Sequence, residues 1–194
     1  MKKLSTGNIV LISIAVALIV IVLGTIFWIM GTYNSLVRAD ETVNEKWANV
    51  QTAYQRRADL IPNLVAVVKQ YSNYEGTVLK EITDARAAVG SAKTPSELQS
   101  AGAQMDSALS RLLVVVENYP NLKANENYIS LQDELAGTEN RINVERQRYN
   151  TAVSDYNKRV RMFPSNIISG MFGFYQRTFF EAAAGAENAP PVVF

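Results

Sequence analysis

The chain has 194 residues, is 48% hydrophobic, and balances 19 basic against 18 acidic side chains. Without Lys2 and Lys3 the count is 17 against 18, so the body has no net field to attract nucleic acid, and no nucleic-acid partner is expected. With no Cys and no His, disulfides, thiolate zinc sites, cysteine nucleophiles, histidine bases, Ser-His-Asp triads and the Glu-x-x-His motif of di-iron bundles are all excluded.

Met1 to Asn8 is short and polar and carries both early lysines. Ile9 to Met30, IVLISIAVALIVIVLGTIFWIM, contains no charged residue. About 20 apolar residues suffice to cross a hydrocarbon core roughly 30 Å thick, so residues 9–30 are read as a transmembrane helix. A cleaved signal peptide is the competing reading, but its apolar run is shorter, about 7–15 residues, and no A-x-A-like site follows here. Phe27, Trp28 and Tyr33 suit the far interface, where aromatic rings with a polar edge are favoured. Lys2 and Lys3 on one side, against Arg38, Asp40 and Glu41 on the other, favour a cytoplasmic amino terminus with the body periplasmic or extracellular. Membrane lipid is thus the first expected partner.

From Leu36 to Val89 apolar residues recur at alternating steps of three and four: Leu36, Val43, Trp47, Val50, Tyr54, Ile61, Leu64, Val68, Tyr71, Val78, Ile82, Ala85 and Val89. That is one face of a helix packed on partner helices, and a rod roughly 80 Å long if unbroken. Pro62 lies inside it, and a kink or short break is expected there. Gly90 to Lys93 ends the rod. Thr94-Pro95-Ser96-Glu97 is a capping box, and the second helix runs from Pro95 to about Asn118 on Leu98, Ala101, Met105, Leu109, Leu112 and Val116, with Leu113, Val114 and Val115 widening the face. After Tyr119-Pro120-Asn121 a third helix runs from near Asn125 to about Phe163, seamed by Tyr128, Leu131, Leu135, Ile142, Tyr149, Val153, Tyr156, Val160 and Phe163. Pro164 ends it, and Ser165 or Asn166 is expected to cap a short fourth segment through Tyr175. Short loops make consecutive helices antiparallel neighbours.

The predicted fold is therefore all-α: one amino-terminal transmembrane helix, then a long antiparallel bundle of three long helices, the first kinked, plus a short carboxy-terminal helix. The expected organisation is a short cytoplasmic segment at 1–8, the span at 9–30, a bundle domain at 33–181 and a disordered, Gly/Pro-containing tail at 182–194.

Several blocks closely resemble the LemA family. They are Tyr33-Asn34-Ser35-Leu36-Val37, Arg56-Arg57-Ala58-Asp59-Leu60-Ile61-Pro62-Asn63-Leu64-Val65, Glu117-Asn118-Tyr119-Pro120-Asn121-Leu122-Lys123-Ala124-Asn125, Gly137-Thr138-Glu139-Asn140-Arg141-Ile142, Arg148-Tyr149-Asn150 and Phe163-Pro164-Ser165-Asn166. They occur in order through nearly the whole body, with the tail after Glu181 outside. The resemblance implies a bacterial inner-membrane or cell-membrane protein with one anchor and a helical body. Many members of that family carry a lipid-attachment Cys just before the Tyr-Asn block; Gly31-Thr32 stand there in this chain, which fits a spanning anchor. The resemblance brings no catalytic residues with it.

Polar residues in the apolar seams are the first candidate functional positions. Arg57, Glu75 and Glu145 are read as register-setting charges paired across helices; the alternative is that Arg57 turns outward and its stem snorkels along the surface. The second candidate is the apolar set Ile167, Ile168, Met171, Phe172, Phe174, Phe179 and Phe180. It either folds back to plug the bundle or forms a self-association or membrane-surface patch. The basic residues Arg56, Arg57, Arg141, Arg146, Arg148, Lys158, Arg159 and Arg161 offer anionic lipid or phosphate binding as one reading, but Glu139, Glu145 and Asp155 lie on the same helix as most of them and favour a solvated mixed-charge face.

The expected function is a non-enzymatic, membrane-anchored scaffold or interaction protein of the bacterial envelope that self-associates, with no cofactor or metal. The alternatives are an envelope enzyme using carboxylate, Tyr or Ser-Lys chemistry, and a sensory input domain acting through a partner.

Overall fold

The computed structural model describes residues 6–71 and 77–181. Glu75 and the tail at 182–194 lie outside the described residues, as does most of the short amino-terminal segment. Among the described residues six helices follow in order: α1 Thr6–Lys69, α2 Thr77–Ser91, α3 Pro95–Glu117, α4 Pro120–Lys123, α5 Glu126–Arg161 and α6 Ser165–Phe172. No strand occurs among the described residues. The chain divides into two compact units, one of Met1–Thr42 with Ser154–Arg177, the other of Val43–Val153 with Thr178–Phe194.

In the first unit α1 begins with the charge-free run, whose apolar residues from Val10 to Met30 stand exposed apart from the half-buried Ile29, and it is the one helix among those described that is long and apolar enough to cross a membrane. Farther along, Leu36 is buried, as are Tyr156 and Val160 of α5 and Ile168 of α6. The Ser169 hydroxyl, also buried, donates to the carbonyl of Val160 at 2.9 Å and so ties α6 to α5. Ser165 does not cap α6: its hydroxyl donates back to the carbonyls of Arg159 and Met162, at 2.6 and 2.8 Å. The short helix ends at Phe172 rather than Tyr175, because Gly173 adopts φ +76°, a left-handed stop that a residue with a Cβ takes only under strain.

The second unit holds the larger core. Val43, Val50, Ala53, Tyr54, Ile61, Leu64 and Val68 of α1 are buried, together with Val78, Ile82, Ala85 and Val89 of α2 and Leu98, Ala101, Met105, Leu112 and Val116 of α3. Ile142, Tyr149 and Val153 complete it from α5. Thr94 caps α3 as its sequence foretells, its oxygen accepting from the Glu97 amide at 3.2 Å. The Glu97 carboxylate reaches one residue further back, to the Lys93 amide at 2.8 Å, and that bond holds its pKa below the ordinary value.

Three expectations need correction. The rod from Leu36 to Val89 is two helices: α1 continues through Pro62 and ends at Lys69, where the Gln70 and Tyr71 amides make tight bonds to Val67 and Val68. Pro62 costs one hydrogen bond, which the packed seam outweighs, whereas the sequence after Tyr71 is rich in weak helix formers, Ser72, Asn73 and Gly76. The face of α3 does not widen, since Leu113 and Val114 point to solvent, Val114 63% exposed. Phe163 does not join the seam of α5 either; the helix stops two residues earlier and its ring is 81% exposed.

One close approach carries a prediction. A Cβ at Gly102 of α3 would sit 2.7 Å from Cε1 of the buried Tyr54 ring, which has little room to retreat. Gly102→Ala gains helix propensity of up to about 1 kcal/mol, but overpacking costs about 1–3 kcal/mol, so a net loss is expected. Denaturant unfolding checks this, and pairing the change with Tyr54→Leu should recover part of the loss.

Candidate functional site

Arg57 sits one turn before Pro62 on the inner face of α1, where the seam would otherwise be apolar. Its side chain is only 11% exposed and pairs with Asp106 of α3 at 2.7 Å and Glu139 of α5 at 2.5 Å. One guanidinium thus joins three helices, a use its planar fork of donors suits. Its outward rotation is not what the structure holds. Both carboxylates keep a wet side, at 53% and 41% exposure, so the clasp lies at the edge of the core.

Glu145 behaves differently. It is 1% exposed, and its Oε1 receives Arg141 at 3.0 Å and Arg148 at 2.8 Å, both from its own helix. Its second oxygen, Oε2, is buried without a hydrogen-bond partner. Arg57 therefore links helices, whereas Glu145 is braced along α5. Other members of the basic set are also engaged: Arg56 with Glu134 at 3.1 Å, Lys158 with Asp155 at 3.5 Å, and Arg159 with the Ser35 hydroxyl at 2.7 Å.

The carboxy-terminal apolar set is split between buried and exposed residues. In the first unit Ile168 is buried, Phe174 is half-buried, and Ile167, Met171 and Phe172 are exposed. Tyr33 meets the rings of Phe172 and Phe174 edge-on, at 5.0 and 5.7 Å between centroids. In the second unit Phe179 is exposed but Phe180 is buried, packed on Tyr149 at 5.4 Å and Trp47 at 5.9 Å with the Arg146 guanidinium 5.1 Å from its ring centre.

What sequence reasoning missed is the means by which the stretch after Gly173 is held. Asn157 donates to the Arg177 carbonyl and accepts from the Arg177 amide, both at 2.9 Å, within the first unit. In the second unit Asn150 does the same for Phe180, again at 2.9 Å both ways. Each asparagine side chain replaces the neighbouring strand that an extended backbone would otherwise need. Their spacing of seven residues on α5 is the signal that could have revealed them. Arg177 adds a two-pronged pair to Asp40, with contacts of 2.8 to 3.1 Å.

The tyrosines bear on chemistry. Burial raises Tyr54 above its ordinary pKa of 10.0, with Arg146 opposing and the Glu139 and Asp106 charges adding to the rise. Burial followed by the Asp40 charge raises Tyr156, and burial raises Tyr128. A raised phenol is a poor base near neutrality. It also has a folding consequence: the unfolded chain releases these protons first, so their contribution to stability is intact below pH 10 and is lost as pH climbs past it. Alkaline unfolding followed by phenolate absorbance should show these tyrosines titrating together with unfolding, and Tyr54→Phe should move the midpoint to higher pH.

Among the described residues no group of three or more acidic side chains is placed to hold a metal ion. A half-open cavity of about 410 Å³ in the second unit is lined by Asn49, Thr52, Arg56, Glu134, Thr138 and Arg141. Its charged walls are already paired with each other or with Glu145.

The LemA family model matches residues 46–194, well over half the chain. The chain belongs to the LemA family. The match includes the tail after Glu181, which the sequence blocks had placed outside, and it begins after the Tyr33 block. Among similar proteins, magnetosome protein MamQ 2 of Paramagnetospirillum magneticum is 27% identical over 175 residues, covering 77% of this chain and 64% of that protein. Protein LemA of Metamycoplasma hominis is 25% identical over 169 residues, 84% of this chain and 76% of its own length. Magnetosome protein MamQ of Magnetospirillum gryphiswaldense is 25% identical over 180 residues, 79% and 66%. This LemA-family chain thus spans just under two thirds of the length of the first of these relatives.

Proposed function

We propose that this LemA-family protein is a membrane-anchored helical interaction protein of the bacterial envelope, which acts by self-association or by holding a partner and performs no chemistry of its own. The observation that carries this reading is the composition of α1. One helix presents an exposed charge-free stretch long enough to span a bilayer, and then a buried seam with a three-helix arginine clasp. Such a helix is a tether and a packing element at once. The mutual pairing of charges around the half-open cavity also favours binding over catalysis.

The test is crosslinking in membranes, then extraction in mild detergent with particle sizing and identification of co-purifying proteins. Oligomers or a reproducible partner are expected. Monomers alone, across several crosslinkers and detergents, would overturn the reading.

A further inference from the structure

We propose that the turn from Met162 to Phe172 is a second membrane contact, an apolar element seated in the headgroup boundary of the same bilayer that α1 enters. This rests on the membrane-anchored reading above. All residues involved belong to the first unit. The apolar run of α1 ends at Met30, and the next charge is Arg38. Between these points Tyr33 packs edge-on against Phe172 and Phe174. Alongside, a groove of about 400 Å³ has Trp28, Gly31 and Thr32 of α1 on one wall and Arg159, Met162 and Ser165 on the other. The turn and α6 therefore stand level with the end of the span.

At this level α6 buries Ile168 and Ser169 and leaves Ile167, Met171 and Phe172 exposed, while the preceding turn exposes Met162 and Phe163, the latter by 81%. Trp28 of the span and Met162 of the turn line the same groove and both are exposed, so the apolar surface continues from the span onto the turn. Water would leave this surface unsatisfied, and the described chain does not cover it. A bilayer that receives residues 9–30 covers it without a further partner, and this continuity favours lipid over a second copy. Arg159 and Arg161, in the last turn of α5, complement anionic headgroups at that depth.

The absence of cysteine lets single labelling sites be introduced cleanly. Full-length Phe163→Cys, Leu18→Cys and Gln147→Cys are each labelled with an environment-sensitive NBD probe and reconstituted in phosphatidylcholine vesicles containing some phosphatidylglycerol. Gln147 is exposed on α5, about 21 Å along the helix from its end at Arg161. The expected result is that the probes at 18 and 163 are quenched by spin-labelled lipid and shielded from iodide, while the probe at 147 is open to iodide. A probe at 163 as open to iodide as that at 147, with 18 embedded, overturns the proposal and leaves the anchor standing. Shielding at 163 without quenching by spin-labelled lipid points to a second copy and also overturns it. A probe at 18 that is itself open to iodide removes the anchored reading and this inference with it.

Discussion

Phe180→Ala is expected to cost about 3–5 kcal/mol, the range for emptying a buried aromatic site, and to lower the melting temperature of the second unit by roughly 10 °C. The ring is buried against Trp47 and Tyr149 and lies under the Arg146 guanidinium, so its removal leaves a void walled by two large rings that cannot collapse far. The backbone would remain held, because Asn150 grips the amide and carbonyl of residue 180, not its side chain. Trp47 reports the change directly. With Trp28→Phe as background, Trp47 is the only indole, and its emission should shift to the red before global unfolding. Asn150→Asp provides the complementary measurement: it keeps the ring but loses the donor to the Phe180 carbonyl, and a smaller cost of about 1–2 kcal/mol is expected. If Phe180→Ala proves as stable as the parent, the aromatic cluster is not a packing element.

The second large effect concerns Arg57, and its sign depends on which partner is removed. Neutralising both acids, Asp106→Asn with Glu139→Gln, leaves a nearly buried guanidinium without counter-charge and should cost about 3 kcal/mol or more. Arg57→Met removes the buried charge itself. The two carboxylates left behind already face water and can hydrate, and a Met side chain fills much the same apolar space, so the cost should stay within about 1 kcal/mol. Chemical unfolding of the three proteins at low and high salt checks the ordering. Equal costs for the two changes would mean that Arg57 acts through its methylene stem alone. If the clasp also fixes register, Arg57→Met should be stable yet change the distribution of crosslinked species.

The main helices were legible because burial imposes a period that composition cannot hide. Val43, Val50, Ile61, Leu64 and Val68 follow the predicted seam, and α3 starts at its capping box. Arg57 was legible for the same reason: a charge at an apolar position demands a partner, although the sequence could not say that there would be two. The helix break falls after Lys69 and not at Pro62, where the packed seam carries α1 through. The stretch from Gly173 onward has no period at all. It is organised by amide side chains on α5, which look like ordinary surface asparagines until the backbone they grip is in place. Glu145 shows the opposite limit: its seam position foretold burial, while its arginine partners came from the same helix and not from across the bundle.

The approach of α3 to α1 has an evolutionary corollary. The phenol ring of Tyr54 occupies the space that a methyl group on residue 102 would need, so neither position is free to vary by itself. In descendants of this sequence, a side chain gained at 102 should be accompanied by a slimmer residue at 54, and lineages that retain the ring should retain the bare backbone opposite. The two sites should drift as one.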